Sequence, residues 1–320
     1  MKNLKKIDLS QIPTPIQICH FENKKFLIKR DDLTGCELSG NKVRKLEYLL
    51  YDAKKNKADI IFTCGGIQSN HARATTIAAK KIKLPTKLFL WGSEKTKLTG
   101  NLFFNKVNNA EIRFLNKSEY KNVNDLMLEE SILMKKKGLN VYIIPEGGSN
   151  IIGIYAYFNF VSELSNQLGL KKLEGIVLPA GSGGTAAGIL AGLSYYGFDI
   201  KLYVVNVLYD ELTIRKKIIN LAQAFILQHK IKIDLMVNNL IVLSGYSNEG
   251  YKKISQDKIK LMIRFTNESG ILFDPVYTGK TFFAYYKNFL INNLGMKNLF
   301  VHTGGLFGIF GREKEFINNL

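Results

Sequence analysis

An α/β fold of two domains, each an open and mostly parallel sheet flanked by helices, is the architecture that this 320-residue sequence predicts. Three observations support it. Short apolar segments alternate with stretches whose apolar residues recur at helical spacing. Nine such segments in two regular series suit two sheets with a cleft between them. Glycine-rich or hydroxyl-bearing turns follow several of the segments, at the strand ends where α/β proteins bind their ligands.

The predicted strands are short and mostly apolar. In chain order they are FLIKR (26–30), DIIFTC (59–64), KLFLW (87–91), EIRFL (111–115), NVYIIP (140–145), EGIVLPA (174–180), KLYVVN (201–206), LIVL (240–243) and NLFVHT (298–303). Between the strands, NKVRKLEYLLYDAKKN and SNHARATTIAAKKI have apolar residues at helical spacing and predict helices.

Composition excludes several classes of protein. The chain carries 45 Lys+Arg against 27 Asp+Glu, a formal charge of +18. Its lysines stand in short scattered clusters without a nucleic-acid-binding motif, so we expect a solvated surface and no nucleic-acid partner. No apolar run reaches the roughly 20 residues of a membrane span, and the first residues lack the apolar region of a signal peptide. Three widely spaced cysteines disfavour disulfides and zinc. We therefore expect a cytoplasmic protein with no metal and no membrane partner.

The segment Ala180-Gly181-Ser182-Gly183-Gly184-Thr185 follows a predicted strand and opens a helix. Small residues let the backbone approach an anion, and amide groups at a helix N-terminus point towards it. The segment predicts a phosphate site of open type. A dinucleotide loop, with Asp199 as a candidate ribose-binding acid, and a plain glycine-rich turn are the alternatives.

Lys42 stands at the start of a helix, directly after the turn Ser39-Gly40-Asn41. The helix dipole and nearby cations disfavour a charged amine there, which is one way to make a lysine nucleophilic. A surface lysine at a helix start is the alternative interpretation of this signal.

Three further turns have the same form. In Thr63–His71, Ser69 is a good N-cap, and Ser69, Asn70 and the exposed amides could hold a carboxylate. His71 fits a hydrogen-bonding or helix-surface residue better than a catalytic base. The segments Leu272–Lys280 and His302–Gly305 also put hydroxyl groups and glycines at strand ends, and each could be a simple turn.

Taken together in this order, the five turns resemble those of the pyridoxal-phosphate (PLP) enzymes with a tryptophan-synthase β-like fold, and within them the D-cysteine desulfhydrase and 1-aminocyclopropane-1-carboxylate (ACC) deaminase family. The motifs are GNKVRKLE, GGIQSNH, AGSGGT, DPVYTGK and HTGG, and the resemblance covers almost the whole chain. It implies PLP in the cleft, a homodimer, a larger PLP-binding domain over 1–45 and 152–320, and a smaller domain over 46–151.

The resemblance also implies roles for individual residues. Lys42 would carry PLP, Asn70 would contact the PLP hydroxyl, and Ala180–Thr185 would bind the phosphate. Thr278 and Thr303 would lie beside the cofactor. Ser69 would bind the substrate carboxylate, and Gln68, Asn70 and His71 would join it. Tyr251 and Tyr277 match the family's two active-site tyrosines. Lys252, where glycine is usual, and a short segment at 92–105 depart from the family pattern.

Two threonines distinguish the activities within the family. Thr278 stands where ACC deaminases have a glutamate that would hold the pyridine nitrogen protonated, and Thr303 stands where they usually have leucine. A hydroxyl gives a weaker electron sink, which suffices for loss of a β-thiolate but not for opening of the ACC ring. The resemblance therefore implies elimination of sulfide from D-cysteine, with Lys42 removing the Cα proton and Tyr277 as a candidate proton donor to sulfide.

Other functions remain open at this stage. Within the family, the substrate could be ACC, L-cysteate or another β-substituted amino acid. A nicotinamide-dependent oxidoreductase would use GSGGTA as a dinucleotide loop but would leave Lys42, Ser69-Asn70 and Tyr277 without roles. A basic nucleic-acid-binding protein rests on net charge alone.

Overall fold

The computed structural model describes residues 4–251 and 253–320 and confirms the predicted α/β class, with two separate sheets flanked by helices. Lys252, which departs from the family pattern, lies outside the described residues. Across residues 4–251 and 253–320 no helix has the length and apolar character that a membrane crossing requires.

The strands are β1 (Ile16–Phe21), β2 (Lys24–Lys29), β3 (Ile60–Gly66), β4 (Thr86–Trp91), β5 (Glu111–Leu115), β6 (Val141–Ile143), β7 (Gly175–Ala180), β8 (Lys201–Asn206), β9 (Leu240–Leu243) and β10 (Asn298–Val301). The helices are α1 (Lys42–Lys55), α2 (Asn70–Lys81), α3 (Gly100–Val107), α4 (Lys117–Lys121), α5 (Val123–Lys136), α6 (Ile151–Gln167), α7 (Gly184–Tyr196), α8 (Glu211–Gln228), α9 (Gln256–Ser269), α10 (Thr278–Tyr285) and α11 (Glu313–Ile317).

The larger sheet has the strand order β1-β2-β10-β7-β8-β9. All its neighbours are parallel except β1 and β2, which pair antiparallel. Strand β1 is absent from the strands predicted from the sequence. This strand lies at the edge of the sheet and buries only Cys19 and Phe21, while Ile18 is 57% exposed. A half-exposed edge strand lacks the continuous apolar run that marks the central strands of a parallel sheet.

The smaller sheet has the order β5-β4-β3-β6, and every pair is parallel. Strand β6 is shorter than the predicted segment 140–145. Its extension leaves the ladder after Ile143, although the Ile144 amide still donates to the Phe62 carbonyl at 2.8 Å. Pro145 and Glu146 then begin a turn that leads into α6. The predicted domain boundaries at 45/46 and 151/152 remain a prediction.

Helices α6 and α7 cover one face of the larger sheet and form the main core with its strands. Helix α7 is apolar all round, as expected for a helix that is buried along nearly its whole length, from Gly184 to Ser194. Gly188 and Gly192 permit the close contact with α6. A Cβ on Gly188 would lie 2.7 Å from Cβ of Tyr157, and one on Gly192 would lie 2.9 Å from the Phe158 carbonyl oxygen. This packing fixes the loop between β7 and α7.

A cluster of buried charges lies beneath helix α1 and is called here the charged cluster; its members are Lys29, Asp31, Arg44 and Glu163. Arg44 Nη2 lies 2.8 Å from Asp31 Oδ1, and Arg44 Nη1 lies 2.7 Å from Glu163 Oε2. Lys29 Nζ lies 2.6 Å from Glu163 Oε1. These pairs join α1 to β2 and α6, and thereby fix the first turn of α1.

Candidate active site

A cleft of about 660 Å³ opens where the carboxyl ends of strands from both sheets face each other. The ends of β3 and β6 supply one wall, and those of β7 and β10 supply the other. Most of the site residues predicted from the sequence line this cleft; they are Lys42, Ser69, Asn70, His71, Ala180, Gly181, Ser182, Gly183, Gly184, Thr185, Tyr251, Tyr277 and Thr303. Two predicted residues, Gln68 and Thr278, do not line it.

Lys42 is the first residue of α1 and projects its amine into the cleft. Among the described residues, its one hydrogen bond is to Asn41 Oδ1, at 3.1 Å. Asn41 in turn donates from Nδ2 to Thr185 Oγ1 at 3.0 Å, which links Lys42 to the loop after β7. Burial lowers the pKa of Lys42 to about 8, against the opposing effect of Asp274 and Glu146. Much more of its amine is therefore neutral at pH 7–8 than for a surface lysine.

The turn that carries Lys42 is fixed by its contact with the end of β10. Gly40 has φ +98°, a conformation that favours glycine, and a Cβ there would lie 2.9 Å from the Thr303 carbonyl oxygen. The same carbonyl accepts a hydrogen bond from the Asn41 amide at 3.0 Å. Lys42 and Thr303 are thus held beside each other by backbone contacts.

The loop Gly181–Gly184 leads into the N-terminus of α7, where the amides of the first turn have no partner within the helix. Gly183 has φ +85°. A Cβ on Gly184 would collide with Ser149 Oγ and would lie 2.8 Å from Lys45 Nζ. The exposed amides, the Ser182 hydroxyl and the nearby amine form a cradle for a phosphate group.

Lys45 lies one turn after Lys42 and supports this cradle from below. Its amine donates to the Gly147 carbonyl at 3.1 Å and to Ser149 Oγ at 3.2 Å, and Ser149 Oγ lies 2.7 Å from Ser182 Oγ. Burial and the neighbouring Lys42 lower the pKa of Lys45 well below its usual value. A bound dianion would favour its charged form. Lys45 is not among the site residues predicted from the sequence.

The N-terminus of α2 forms the opposite wall. Ser69 caps the helix, because its Oγ accepts a hydrogen bond from the Ala72 amide at 3.1 Å. Asn70 accepts from Asn101 Nδ2 through its Oδ1 at 2.9 Å, which leaves its Nδ2 available as a donor to an oxygen in the cleft. His71 Nε2 lies 2.9 Å from Thr63 Oγ1, and burial lowers the pKa of its ring well below the usual value. His71 is therefore a neutral, hydrogen-bonded residue.

Gln68 faces away from the cleft and has a structural contact instead. Its Nε2 donates to the Thr99 carbonyl at 3.0 Å, and its Oε1 accepts from the Asn101 amide at 2.9 Å. These bonds attach the start of α3 to the turn before α2. Any substrate contact by Gln68 would have to come from its backbone.

Tyr251 and Tyr277 form a pair, with their hydroxyl oxygens 2.8 Å apart. The ring of Tyr277 packs against the phosphate cradle, where a Cβ on Gly181 would lie 3.0 Å from Tyr277 Cε1. Burial raises the pKa of Tyr251 to about 12 and raises that of Tyr277 well above its usual value. Both phenols are therefore protonated at neutral pH and can donate a proton or a hydrogen bond.

Thr278 is fully buried behind Tyr277. Its hydroxyl donates to Asp274 Oδ1 at 2.8 Å and accepts from the Asp274 amide at 2.8 Å. The Asp274 carboxylate also accepts from the amides of Val276 and Tyr277, each at 3.0 Å, and so holds the turn that leads into α10. Burial raises the pKa of Asp274. The Thr278 hydroxyl is thus committed to this turn.

Sequence reasoning missed a polar corner of the cleft formed by Glu146 and Tyr120. Tyr120 donates to Glu146 Oε1 at 2.7 Å, and both line the cleft with Trp91 and Cys64. The segment Pro145-Glu146-Gly147-Gly148 lies at the end of a predicted strand, as several of the recognised turns do, and that position was the signal that could have identified Glu146. Tyr120 belongs to a short helix without any such signal.

The cleft suits a phosphorylated carbonyl cofactor of PLP's kind. An amine with a lowered pKa lies beside a helix-terminal phosphate cradle, and the free Nδ2 of Asn70 can donate to a ring oxygen. These features fit PLP, which Lys42 would hold covalently and the Gly181–Thr185 loop would hold by its phosphate. The arrangement defines the molecule as a PLP-dependent enzyme.

Comparison with known proteins gives the family. The sequence pattern described as "Pyridoxal-phosphate dependent enzyme" matches residues 7–304, and the chain belongs to that family. A Thermotoga maritima protein named as a provisional ACC deaminase is 38% identical over 98% of this chain and 100% of its own length. The Arabidopsis thaliana bifunctional D-cysteine desulfhydrase/ACC deaminase is 32% identical over 96% of this chain and 80% of its own length. The crystal structure of an ACC deaminase homologue superimposes with a TM-score of 0.89 at 35% identity. The match covers 99% of this chain and 97% of the homologue's chain. These matches confirm the family resemblance and the cofactor predicted from the sequence.

Proposed function

We propose that this PLP-dependent enzyme catalyses α,β-elimination on D-cysteine, which with water yields sulfide, ammonia and pyruvate. The observation that supports this choice is the environment of Thr278. This residue is a threonine whose hydroxyl is bonded to Asp274, so position 278 carries no carboxylate that could pair with the pyridine nitrogen of the cofactor. A weakly supported electron sink favours loss of a good leaving group over cleavage of a carbon–carbon bond.

The proposed roles of the side chains follow from their surroundings. PLP, when bound, supplies the electron sink for the reaction. Lys42, with a pKa of about 8, can accept the Cα proton near neutral pH. Ser69 and the amides at the start of α2 would hold the substrate carboxylate. The Tyr251–Tyr277 pair stays protonated at neutral pH and can donate a proton to the departing sulfide.

ACC deamination to 2-oxobutanoate is the second candidate. Two observations favour it: the name of the Thermotoga maritima relative and the ACC deaminase activity in the name of the Arabidopsis thaliana relative. The bifunctional name also shows that one protein of this family carries both activities. The nicotinamide alternative is set aside, because the chain belongs to a PLP-dependent family and Asp199 accepts a hydrogen bond from Asn239 at 2.8 Å.

A substrate panel tests the proposal. PLP-supplemented protein is incubated with D-cysteine, L-cysteine, β-chloro-D-alanine, L-cysteate and ACC, and pyruvate and 2-oxobutanoate are measured separately. We expect pyruvate from D-cysteine and β-chloro-D-alanine, and little 2-oxobutanoate from ACC. A larger kcat/KM for ACC than for D-cysteine would overturn the assignment in favour of the second candidate.

We also propose a cytoplasmic homodimer. The described cysteines Cys19, Cys36 and Cys64 are unpaired, which suits a reducing compartment. Light scattering on the purified PLP-loaded protein measures the assembly directly, and the mass of a single chain would refute the dimer.

A further inference from the structure

We propose that Glu146, held by Tyr120, determines which substrate side chains the cleft accepts. Its carboxylate favours amino acids whose β-substituent is neutral or donates a hydrogen bond, and it disfavours those with an anionic β-substituent. The inference rests on the proposed function only in taking a small amino acid as the ligand. It does not depend on which bond the enzyme breaks.

Among residues 4–251 and 253–320, the carboxylate accepts one hydrogen bond and has no cation within ion-pair distance, although its charge partly offsets the lowering of the pKa of the more distant Lys42 amine. Glu146 Oε1 accepts from Tyr120 at 2.7 Å. Over residues 4–251 and 253–320, no lysine, arginine or histidine nitrogen forms an ion pair with Glu146 within 4.0 Å. Its negative charge is therefore uncompensated at short range, and part of the carboxylate remains open to a ligand.

The position of Glu146 is fixed on both sides. Gly147 follows it with φ +67°, and a Cβ there would collide with Ser182 Oγ of the phosphate cradle. Tyr120, which orients the carboxylate, has its ring centroid 6.3 Å from that of Trp91. The backbone of Glu146 thus lies beside the phosphate cradle, and its carboxylate is oriented by a tyrosine that packs near the smaller sheet.

The other polar walls are already assigned to parts of the substrate and cofactor. The cofactor phosphate would occupy the start of α7, the reacting amine would meet the cofactor at Lys42, and the α-carboxylate would be held at the start of α2. The substrate side chain is left to face the tyrosine pair and the corner of Glu146 and Tyr120. Two phenols do not discriminate strongly by charge, whereas a carboxylate does.

Lysines at the mouth do not cancel this effect. Lys117 and Lys121 also line the cleft, but both are exposed to solvent, while Glu146 is only partly accessible. Charges in water are screened far more than charges in a cleft. We expect the two lysines to attract substrate carboxylates towards the mouth, and Glu146 to discriminate among side chains inside it. A thiol or hydroxyl can donate to the free carboxylate oxygen, and a sulfonate is repelled.

Binding of two unreactive amino acids tests the inference apart from catalysis. Alanine and aspartate of the same configuration, neither of which carries a β-leaving group, are titrated into the PLP-loaded protein, and the absorbance of the cofactor reports their Kd values. Wild type is compared with Glu146→Gln, which keeps an acceptor for Tyr120, and with Glu129→Gln, an equal charge change on the exposed surface of α5.

We expect the ratio of Kd for aspartate to Kd for alanine to fall by about tenfold or more in Glu146→Gln, and to stay constant in Glu129→Gln. Tyr120→Phe should lower the ratio less, because the carboxylate remains but loses its orientation. An unchanged ratio in Glu146→Gln would overturn the inference, and so would an equal weakening of both amino acids. A protein that shows the ratio change but releases no keto acid would refute the proposed reaction and leave this inference standing.

Discussion

Two regions that share helix α1, the charged cluster and the cleft, differ in the partners that they give to basic side chains. In the charged cluster, Arg44 has Asp31 and Glu163 as partners within 2.8 Å. In the cleft, two residues earlier, Lys42 has one hydrogen-bond partner within the described part of the chain, Asn41 Oδ1 at 3.1 Å. A buried cation surrounded by carboxylates contributes to the structure, because removal of one partner leaves the others uncompensated. A partly buried amine without a carboxylate partner is available for chemistry.

Lys29 sharpens the comparison, because it is a lysine like Lys42. Burial lowers the pKa of both. The amine of Lys29, however, donates to the Thr14 carbonyl, Glu163 and Gln167, each at 2.6 Å. These acceptors hold Lys29 in place and occupy all three of its protons. Lys42 and Lys29 therefore differ in how many acceptors bind the amine, and burial alone does not distinguish the proposed reactive lysine from the structural one.

Replacement of Lys42 should have the largest effect. Lys42→Ala removes the attachment point of the cofactor and the proton acceptor, so we expect turnover to fall by at least about 10³-fold. The absorbance of the protein-bound cofactor should be lost as well. Lys54→Ala, on the exposed end of the same helix, should match the wild type in both measurements. Substantial turnover by Lys42→Ala would contradict the role assigned here.

A substitution in the charged cluster should lower the stability of the fold. Arg44→Met leaves Asp31 and Glu163 without their main partner, so we expect the free energy of unfolding to fall by about 3–5 kcal/mol. Urea denaturation measures it. Arg264→Met, which breaks the exposed pair with Glu22, serves as the control and should cost about 0–1 kcal/mol. If both variants lost the same free energy of unfolding, burial would not explain the contribution of the charged cluster to stability.

Replacement of Thr278 and Thr303 should change the selectivity between D-cysteine and ACC. We expect Thr278→Glu combined with Thr303→Leu to lower kcat/KM for D-cysteine by about tenfold or more and to raise 2-oxobutanoate release from ACC. Because Thr278 touches Asp274, the new carboxylate also strains α10, so cofactor binding and the melting temperature must be checked first. The single variant Thr303→Leu controls for the change at β10. Unaltered sulfide release by a folded double variant would refute our interpretation of the electron sink.

The smallest expected effect is on pH dependence. Only a neutral Lys42 can attack the cofactor, and its pKa is lowered to about 8. The rate of PLP binding to the PLP-free protein should therefore rise with pH and level off above about 8. Stopped-flow absorbance between pH 6 and 10 gives the midpoint. A rate that still rises steeply at pH 10 would indicate an ordinary, unperturbed lysine.

Much of the fold and of the cofactor side of the cleft could be predicted from the sequence. Helices α1 and α2 and the glycine turns have local signals, because apolar spacing and glycine requirements are properties of neighbouring residues. Strand β1 has no such signal, since most of its side chains face solvent. The contacts of Gln68 with Asn101 and of Glu146 with Tyr120 join distant segments, and a single sequence does not show which segments meet.

The most direct test of the central claim is to locate the covalent bond to the cofactor. PLP-loaded protein is reduced with borohydride, digested and analysed by mass spectrometry. Burial lowers the pKa of both Lys42 and Lys45, which lie on the same helix, but Lys45 donates to Gly147 and Ser149. We predict the pyridoxyl group on Lys42 alone. A pyridoxyl group on Lys45 would contradict the claim that the lysine with fewer hydrogen bonds to the protein holds the cofactor.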